Sequence, residues 1–181
     1  MMICGIRFNL YLSFLLALGI ATGCKSAEGK EKKLLSTLKL HQEINPDPIG
    51  RSESVEVYRE SPVHFTVDKV PFLTEASVKE AKVIEVTGGF ALQLQFDRQG
   101  SWLLEQYTAK PSKHILVFSQ FVSPGEEKIN SGRWLAAPMV RTHITDGLFI
   151  FAPDATRQEA QQIALGLNNV AKKLATGEEL K

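Results

Sequence analysis

An arginine followed directly by a tryptophan, Arg133-Trp134, is the pair in this 181-residue sequence whose chemistry best suits recognition of another molecule. The pair follows residues 122–132, whose turn-forming and charged residues predict an exposed loop. A guanidinium group can bind a peptide carbonyl or a carboxylate, and an indole ring can bind an apolar side chain. We therefore take Arg133 and Trp134 as candidate partner-binding residues. The alternative is structural, with Trp134 in the core of a sheet and Arg133 paired locally.

A second candidate surface lies on the apolar run Leu148-Phe149-Ile150-Phe151. In a strand, Phe149 and Phe151 share one face while Leu148 and Ile150 share the other, so both faces are apolar. One face is expected to contact helices. The other is expected to be covered by residues 54–67, or else it is an exposed surface that binds an extended polypeptide. Phe149 and Phe151 are therefore also candidate partner-binding residues.

Residue types that commonly carry catalysis or bind metals are scattered along the sequence. The four histidines, His41, His64, His114 and His143, form no H-E-x-x-H motif, and no G-x-S-x-G motif is present. The sequence therefore predicts no catalytic residue, no metal site and no bound cofactor. His143 with Asp146 is the pair on which a small hydrolase could be built, and a hydrolase stays as an alternative.

Composition excludes several further classes of protein. Lys and Arg number 21 against 20 Asp and Glu, a formal net charge of +1, so no basic surface for nucleic acid is expected. The two cysteines, Cys4 and Cys24, lie within the first 24 residues, which leaves the rest of the chain without a thiol for disulfides or zinc. A hydrophobic content of 44% is typical of a globular domain.

The first residues have the pattern of a secretory signal peptide. Arg7 supplies a positive charge, residues 10–20 form an apolar run too short to span a bilayer comfortably, and small residues precede Cys24. This end resembles the lipobox of bacterial lipoproteins. The resemblance implies that residues 1–23 are removed and that Cys24 is lipidated. It also implies anchoring to a membrane of the cell envelope, with the protein facing the periplasm or the exterior.

The remainder of the chain divides by composition. Residues 24–53 contain a polar stretch and the turn-rich sequence N-P-D-P-I-G, and they are predicted to form a flexible tether after the lipidated cysteine. Residues 54–176 are predicted to form one folded domain. Residues 177–181 are predicted to be a short C-terminal tail.

Apolar periodicity predicts the elements of the folded domain. Alternation predicts strands, and a cap residue before apolar residues three and four apart predicts a helix. The first predicted elements are a strand over 63–67, a short helix over 74–81 capped by Thr74, and a hairpin over 83–96 that turns at Gly88-Gly89. The next is a helix that is capped by Asp97 and ended by Pro111, and its Trp102, Leu103 and Tyr107 share one face. The last are a strand over 114–121, a second hairpin over 139–151 that turns at Asp146-Gly147, and a helix over 157–176 with a capping box from Thr156 to Glu159. These elements predict an α+β fold, a two-layer sandwich in which a mainly antiparallel sheet of hairpins carries two main helices on one face.

The segment 96–171 resembles the head subdomain of the first periplasmic domain of SecD, a subunit of the bacterial Sec translocon, including the fused SecDF forms. The matching positions are Phe96, Thr108, the apolar residues 115–118, Ala137-Pro138, Ile144, Gly147, Thr156 and Glu159-Ala160. Residues 73–81 match the usual lead-in of this subdomain. The sequence departs from the family pattern in the long loop 122–132 and in Gly166-Leu167-Asn168-Asn169.

The resemblance implies a fold like the SecD head and a non-catalytic binding or accessory role in the cell envelope, linked to protein export. The implied partners are the membrane, through the lipid at Cys24, and a polypeptide or a component of the translocon. Because one fold serves many functions, two alternatives stay open. One is the small envelope hydrolase, and the other is a structural lipoprotein that dimerises through Phe149 and Phe151.

Overall fold

The structure, a computed structural model, describes residues 34–110, 113–125, 128–130 and 132–177. The predicted signal peptide, Cys24 and the last four residues lie outside this range. The described residues form nine strands, two α-helices and one short 3₁₀ helix. The strands are β1 (Thr37–Gln42), β2 (Ser52–Val57), β3 (Val63–Asp68), β4 (Leu73–Thr74), β5 (Val78–Val86), β6 (Gly89–Phe96), β7 (Ile115–Gln120), β8 (Arg133–Ala136) and β9 (Leu148–Phe151). The helices are α1 (Arg98–Thr108) and α2 (Arg157–Thr176), and the 3₁₀ helix covers Glu75–Ser77.

Four antiparallel strands form the central sheet, in the order β4-β1-β7-β8. Strand β1 lies inside this sheet, and its Leu38 and Leu40 are fully buried. The prediction of a tether over residues 24–53 is therefore wrong for residues 34–53, which belong to the folded domain. The reason is the alternation T-L-K-L-H-Q, which buries two leucines on one face although the stretch is polar overall.

Three antiparallel strands form the lateral sheet, in the order β5-β6-β9. Strands β5 and β6 make the predicted hairpin, whose turn contains Gly88 with a φ of 87°. That left-handed conformation favours glycine because a Cβ atom would strain it. The hairpin register pairs Val83 with Leu92 and Val86 with Gly89.

The second predicted hairpin does not form. Its expected first arm, residues 139–144, forms no strand apart from an isolated bridge between Met139 and His114. The preceding strand β8 pairs with β7 in the central sheet, whereas β9 pairs with β6 in the lateral sheet. Residues 137–147 therefore cross from one sheet to the other. The turn residues Asp146-Gly147 are still used, because the Asp146 carboxylate accepts a hydrogen bond from the Leu148 N–H.

Two predictions for helices also need correction. Thr74 makes no side-chain cap, and the short helix it was expected to begin is a single 3₁₀ turn before the nine-residue strand β5. In α1, Gly100, Leu104 and Thr108 are buried, whereas Trp102 is 57% exposed. The aromatic residues expected to share a face thus do not define the packed face of α1.

The predicted caps of both helices are present. Asp97 accepts a hydrogen bond from the Gly100 N–H at 2.7 Å. Thr156 and Glu159 form a full capping box at the start of α2, with hydrogen bonds of 3.2 and 2.7 Å. Pro111 lies outside the described residues, and α1 ends at Thr108. Within the described range, neither helix is long and apolar enough to cross a membrane.

The main hydrophobic core lies where the two sheets meet the helices. It contains buried residues of the central sheet, the lateral sheet, α1 and α2. A smaller cluster lies on the opposite face of the central sheet, where β2 and β3 form a two-stranded sheet of their own. There Val55, Val57 and Val67 pack against Leu116 and Ala137. Residues 54–67 therefore cover the central sheet, not β9 as predicted.

Helix α2 is held close to both sheets by the segment Gly166-Leu167-Asn168-Asn169. The Asn168 side chain accepts a hydrogen bond from the Ala81 N–H at 2.8 Å and donates one to the Ala81 carbonyl at 2.9 Å. Ala81 lies on β5, at the edge of the lateral sheet. One side chain thus takes the place that a neighbouring strand would have at this edge.

We expect Asn168→Ala to lower the free energy of unfolding by about 1–3 kcal/mol, because it leaves the Ala81 N–H and carbonyl without partners under α2. Urea unfolding followed by far-ultraviolet circular dichroism measures the change. Gln161→Ala, at an exposed position of the same helix, is the control and should be nearly neutral. Equal stability of the two variants would contradict the assignment of Asn168 as the cap of this edge.

Candidate functional site

Trp134 lies on β8, an edge strand of the central sheet, where it pairs with Phe118 of β7. Its ring packs edge-on against Phe118, with ring centroids 5.3 Å apart, and against His41, at 5.1 Å. These contacts fix the orientation of the indole. The ring is half-buried, so part of its surface stays open to solvent.

A cleft of about 510 Å³ lies beside Trp134, between β8 and the β2–β3 hairpin. We call it the aromatic cleft. It is lined by Glu56, Tyr58, Arg59, Pro62, Phe118, Gly132, Arg133 and Trp134. Aromatic rings and a proline supply an apolar surface, while the exposed Glu56 carboxylate and Arg59 guanidinium lie at the rim. Such a cleft suits an apolar side chain of an extended polypeptide.

Arg133 lines the cleft, but its guanidinium is paired inside the domain. It forms an ion pair with Glu159 of α2 at 3.0 Å and donates a hydrogen bond to the Asp154 carbonyl at 3.1 Å. Its guanidinium also lies 5.1 Å from the centre of the Phe121 ring. Arg133 therefore positions β8 against α2, and local pairing describes it better than ligand binding does.

The Glu159 carboxylate is held in its charged form by this arrangement. Burial alone would raise the pKa of Glu159, but the hydrogen bonds from Arg133 and from the Thr156 N–H outweigh burial and hold the pKa below its usual value. The start of α2 is thereby tied to the strand that carries Trp134.

Arg59 provides the guanidinium at the cleft rim, and the sequence analysis missed it. It pairs with the Asp154 carboxylate, and its backbone N–H donates to the same carboxylate at 2.9 Å. Tyr58 before it has a φ of 72°, rare for a residue with a side chain, and its hydroxyl accepts a hydrogen bond from the Ala137 N–H. No local pattern around Tyr58 and Arg59 indicates these contacts, because their partners lie 79 and 95 residues away.

The His41 ring packs against the Trp134 ring beside the cleft. Its Nδ1 lies 2.7 Å from the Asp68 carbonyl oxygen, within hydrogen-bond distance. Burial lowers the pKa of His41 and Lys39 adds to this effect, whereas the hydrogen bond to Asp68 and the charges of Glu53 and Asp68 act in the opposite direction. The neutral ring is therefore favoured in the folded protein.

Phe149 and Phe151 lie in the main core, where their ring centroids are 5.6 Å apart. Both rings are almost completely buried, so they do not form a contact surface in this structure. The expectation that they bind a partner or join two copies of the chain is thus contradicted by their burial. The exposed residue of the same strand is Ile150, on the opposite face.

The residues of the hydrolase alternative are engaged separately. His143 lies near α1, with its Nε2 3.1 Å from the Glu105 carbonyl oxygen. The Asp146 carboxylate accepts from the Leu148 N–H in a turn. Across the described residues no cluster of three or more His, Cys, Asp or Glu is placed to hold a metal ion. No observation here favours a hydrolase.

The lowered pKa of His41 makes stability depend on pH, since the unfolded chain binds a proton near its ordinary pKa of about 6.5 before the folded protein does. Stability is therefore expected to fall as the pH decreases through about 6.5. His41→Phe, which keeps an aromatic ring beside Trp134, should flatten this dependence between about pH 7.5 and about pH 5.5. Urea midpoints across this range measure it.

His64→Phe is the matched control, because the His64 side chain is largely exposed on β3. Its pH profile should remain like that of the wild type. The paired carboxylates Glu43, Asp154 and Glu159 also have lowered pKa values, so their contribution is lost only at lower pH, below their ordinary values. Parallel profiles for wild type and His41→Phe would contradict the role given to burial of His41.

The chain that carries the aromatic cleft was compared with known proteins and solved structures. No protein-family model matches the chain, and none of the curated proteins matches it. A chain of the structure described as "Structure and function of a membrane component SecDF that enhances protein export" matches with a TM-score of 0.52 and 18% identity, over 86% of this chain and 81% of that chain. A second structure, "Crystal structure of SecDF in Super-membrane-facing form", has the same TM-score and identity over 81% of this chain.

This chain spans 21% of the length of the second SecDF chain, so it corresponds to one part of that larger protein. At 18% identity the similarity establishes the fold. The match extends beyond residues 73–81 and 96–171, on which the resemblance rested, because it covers 86% of this chain. The expected α+β architecture is therefore confirmed, and the described domain has a fold similar to that of SecDF.

Proposed function

We propose that this protein is a non-catalytic accessory module of the cell envelope that binds extended polypeptides during protein export. The observation that carries the proposal is the aromatic cleft, formed around Trp134 on a fold similar to that of SecDF. SecDF is described as a membrane component that enhances protein export. A module with the same fold and an open aromatic cleft is suited to contact chains that are being exported.

The chemistry of the cleft supports a polypeptide as its ligand. Trp134, Phe118 and Pro62 offer apolar surface to one or two side chains, and aromatic residues are enriched among the residues that dominate binding energy. The charges of the lining residues offset one another, since Glu56 is negative and the two arginines, Arg59 and Arg133, are paired with Asp154 and Glu159. A rim without a strong net charge favours apolar or mixed sequences over highly charged ones.

The anchoring of the module is part of the same proposal. Residues 1–23 are proposed to be a cleaved signal peptide, and Cys24 is proposed to carry lipid that holds the protein on a membrane, facing the periplasm or the exterior. Nine residues lie between Cys24 and Leu34, the first described residue. This short distance would keep the domain close to the membrane surface at which export occurs.

A photo-crosslinking amino acid at position 62, on the rim of the cleft, tests the polypeptide-binding proposal. The probe is a reduced and alkylated protein that stays unfolded. We expect crosslinks to this probe and not to its native form. Trp134→Ala should weaken binding about tenfold or more, as loss of a central aromatic anchor does.

Trp102→Ala is the matched control, because Trp102 is the other tryptophan and lies exposed on α1. It should leave binding unchanged. Circular dichroism checks that every variant is folded. The proposal is overturned if the folded Trp134→Ala protein binds the probe as wild type does.

The anchor has a separate test. Intact-mass measurement of protein purified from membranes should show a chain that begins at Cys24 with added acyl mass. Cys24→Ser should release the protein from the membrane fraction, whereas Cys4→Ser should leave it anchored because Cys4 lies in the proposed signal peptide. A mature chain without acyl mass would remove the anchor and leave the cleft proposal standing.

A further inference from the structure

We propose that the outer edge of β9 is a strand-pairing site, at which an extended polypeptide joins the lateral sheet as a fourth strand. This inference rests on the proposed polypeptide binding and specifies how the backbone of the bound chain is recognised. Pairing of this kind is called β-augmentation, and its affinity comes mainly from main-chain hydrogen bonds.

The ladder between β6 and β9 shows which backbone groups face outward. The Phe96 N–H donates to the Gly147 carbonyl at 3.0 Å, in the same register that pairs Leu94 with Phe149. Because hydrogen-bonded pairs alternate in an antiparallel ladder, Phe149 bonds to β6 whereas Ile150 directs its N–H and carbonyl away from the sheet. Among the described residues these two groups of Ile150 have no hydrogen-bond partner.

Other sheet edges in the described part of the chain are engaged at single points by the chain itself. On β5, the side chain of Asn168 bonds both backbone groups of Ala81. On β8, the Leu135 carbonyl accepts from the Asp154 N–H at 2.6 Å. Exposed edges readily pair with other chains, and native proteins usually block them. At the edge of β9, the described residues make no such contact with the backbone of Ile150.

The side chains at this edge favour an uncharged extended polypeptide as the occupant. Ile150 is 44% exposed, and the strand L-F-I-F has no charged residue that would repel a second strand. Its cross-strand neighbours Gln93 and Gln95 on the same face are also uncharged. Main-chain pairing and an uncharged face together recognise the extended backbone and tolerate different sequences.

The edge also leads toward the aromatic cleft. Three residues after Phe151, Asp154 pairs with Arg59 at the rim of the cleft. Ile150 and Asp154 are four residues apart, which is about 13 Å in an extended chain. A polypeptide paired along β9 can therefore continue toward Trp134, so that one bound chain uses both surfaces.

Hydrogen exchange of individual amides, measured by NMR, tests the proposed strand pairing. The probe is an alternating valine–threonine peptide of about ten residues, long enough to pair with a strand. We expect this peptide to slow exchange at Ile150 at least tenfold, while Phe149, already bonded to β6, changes little. The same peptide with N-methyl groups on every second residue should bind at least tenfold more weakly, because methylation removes its pairing N–H groups.

Variants add a second measurement. Ile150→Pro removes the outward N–H without removing a bond to β6, and it should weaken peptide binding about tenfold. Glu85→Pro is the matched control, because Glu85 is exposed and, like Ala81 in the same alternation, directs its N–H outward on β5 at the far side of the lateral sheet, and it should not weaken binding. Circular dichroism confirms that both variants are folded, and the exchange experiment on wild type does not depend on them.

The outcomes separate this inference from the proposed function. If the unfolded-protein probe binds and depends on Trp134 while Ile150 exchange is unaffected by peptide, the edge inference is overturned and the cleft proposal stands. If Ile150 is protected by peptide but Trp134→Ala has no effect, the edge inference stands alone. Absence of peptide binding at millimolar concentration overturns it. Protection without peptide, in a protein that sediments as a dimer, also overturns it, because a second copy then occupies the edge.

Discussion

The close approach of helix α2 to both sheets is the constraint on which the rest of this structure depends. A Cβ atom at Gly166 would lie 2.8 Å from the Ser36 backbone nitrogen, so the helix can reach β1 only with glycine at this position. Asn169 donates to the Leu34 carbonyl at 2.9 Å, and Asn168 bonds the edge of β5. Three neighbouring residues thus join strands that are far apart in sequence. The packing of the main core follows from this placement, because Leu167 is then directed into it.

The same helix positions the aromatic cleft from its other end. Glu159, in the first turn of α2, pairs with Arg133 on β8, and the next residue on that strand is Trp134. Asp154, just before the helix, binds both Arg133 and Arg59. These charges are therefore paired within the domain, although the Arg59 side chain stays 54% exposed beside the rings of the cleft. The ion pairs fix the strand and the hairpin that carry those rings, so the rings keep their positions.

The features that could be predicted from the sequence are those that depend on neighbours in the chain. The Gly88-Gly89 turn, the Asp97 cap and the Thr156–Glu159 capping box all form, because each needs only residues within a few positions. The pairing of β8 with β7 and of β9 with β6 could not be obtained in this way. Both strands are only four residues long, and tertiary packing decides which sheet receives each of them.

The site shows the same division between local and distant causes. Trp134 was identified from the sequence because an indole beside an exposed loop can bind an apolar side chain, and the structure leaves it partly open to solvent. Phe149 and Phe151 could not be distinguished from Leu148 and Ile150 by sequence, since alternation gives two apolar faces without saying which is buried. The burial of the phenylalanines directs Ile150 outward on a strand whose outer edge no other described strand covers. A strand that is apolar on both faces thus has one face in the core and the other partly exposed to solvent.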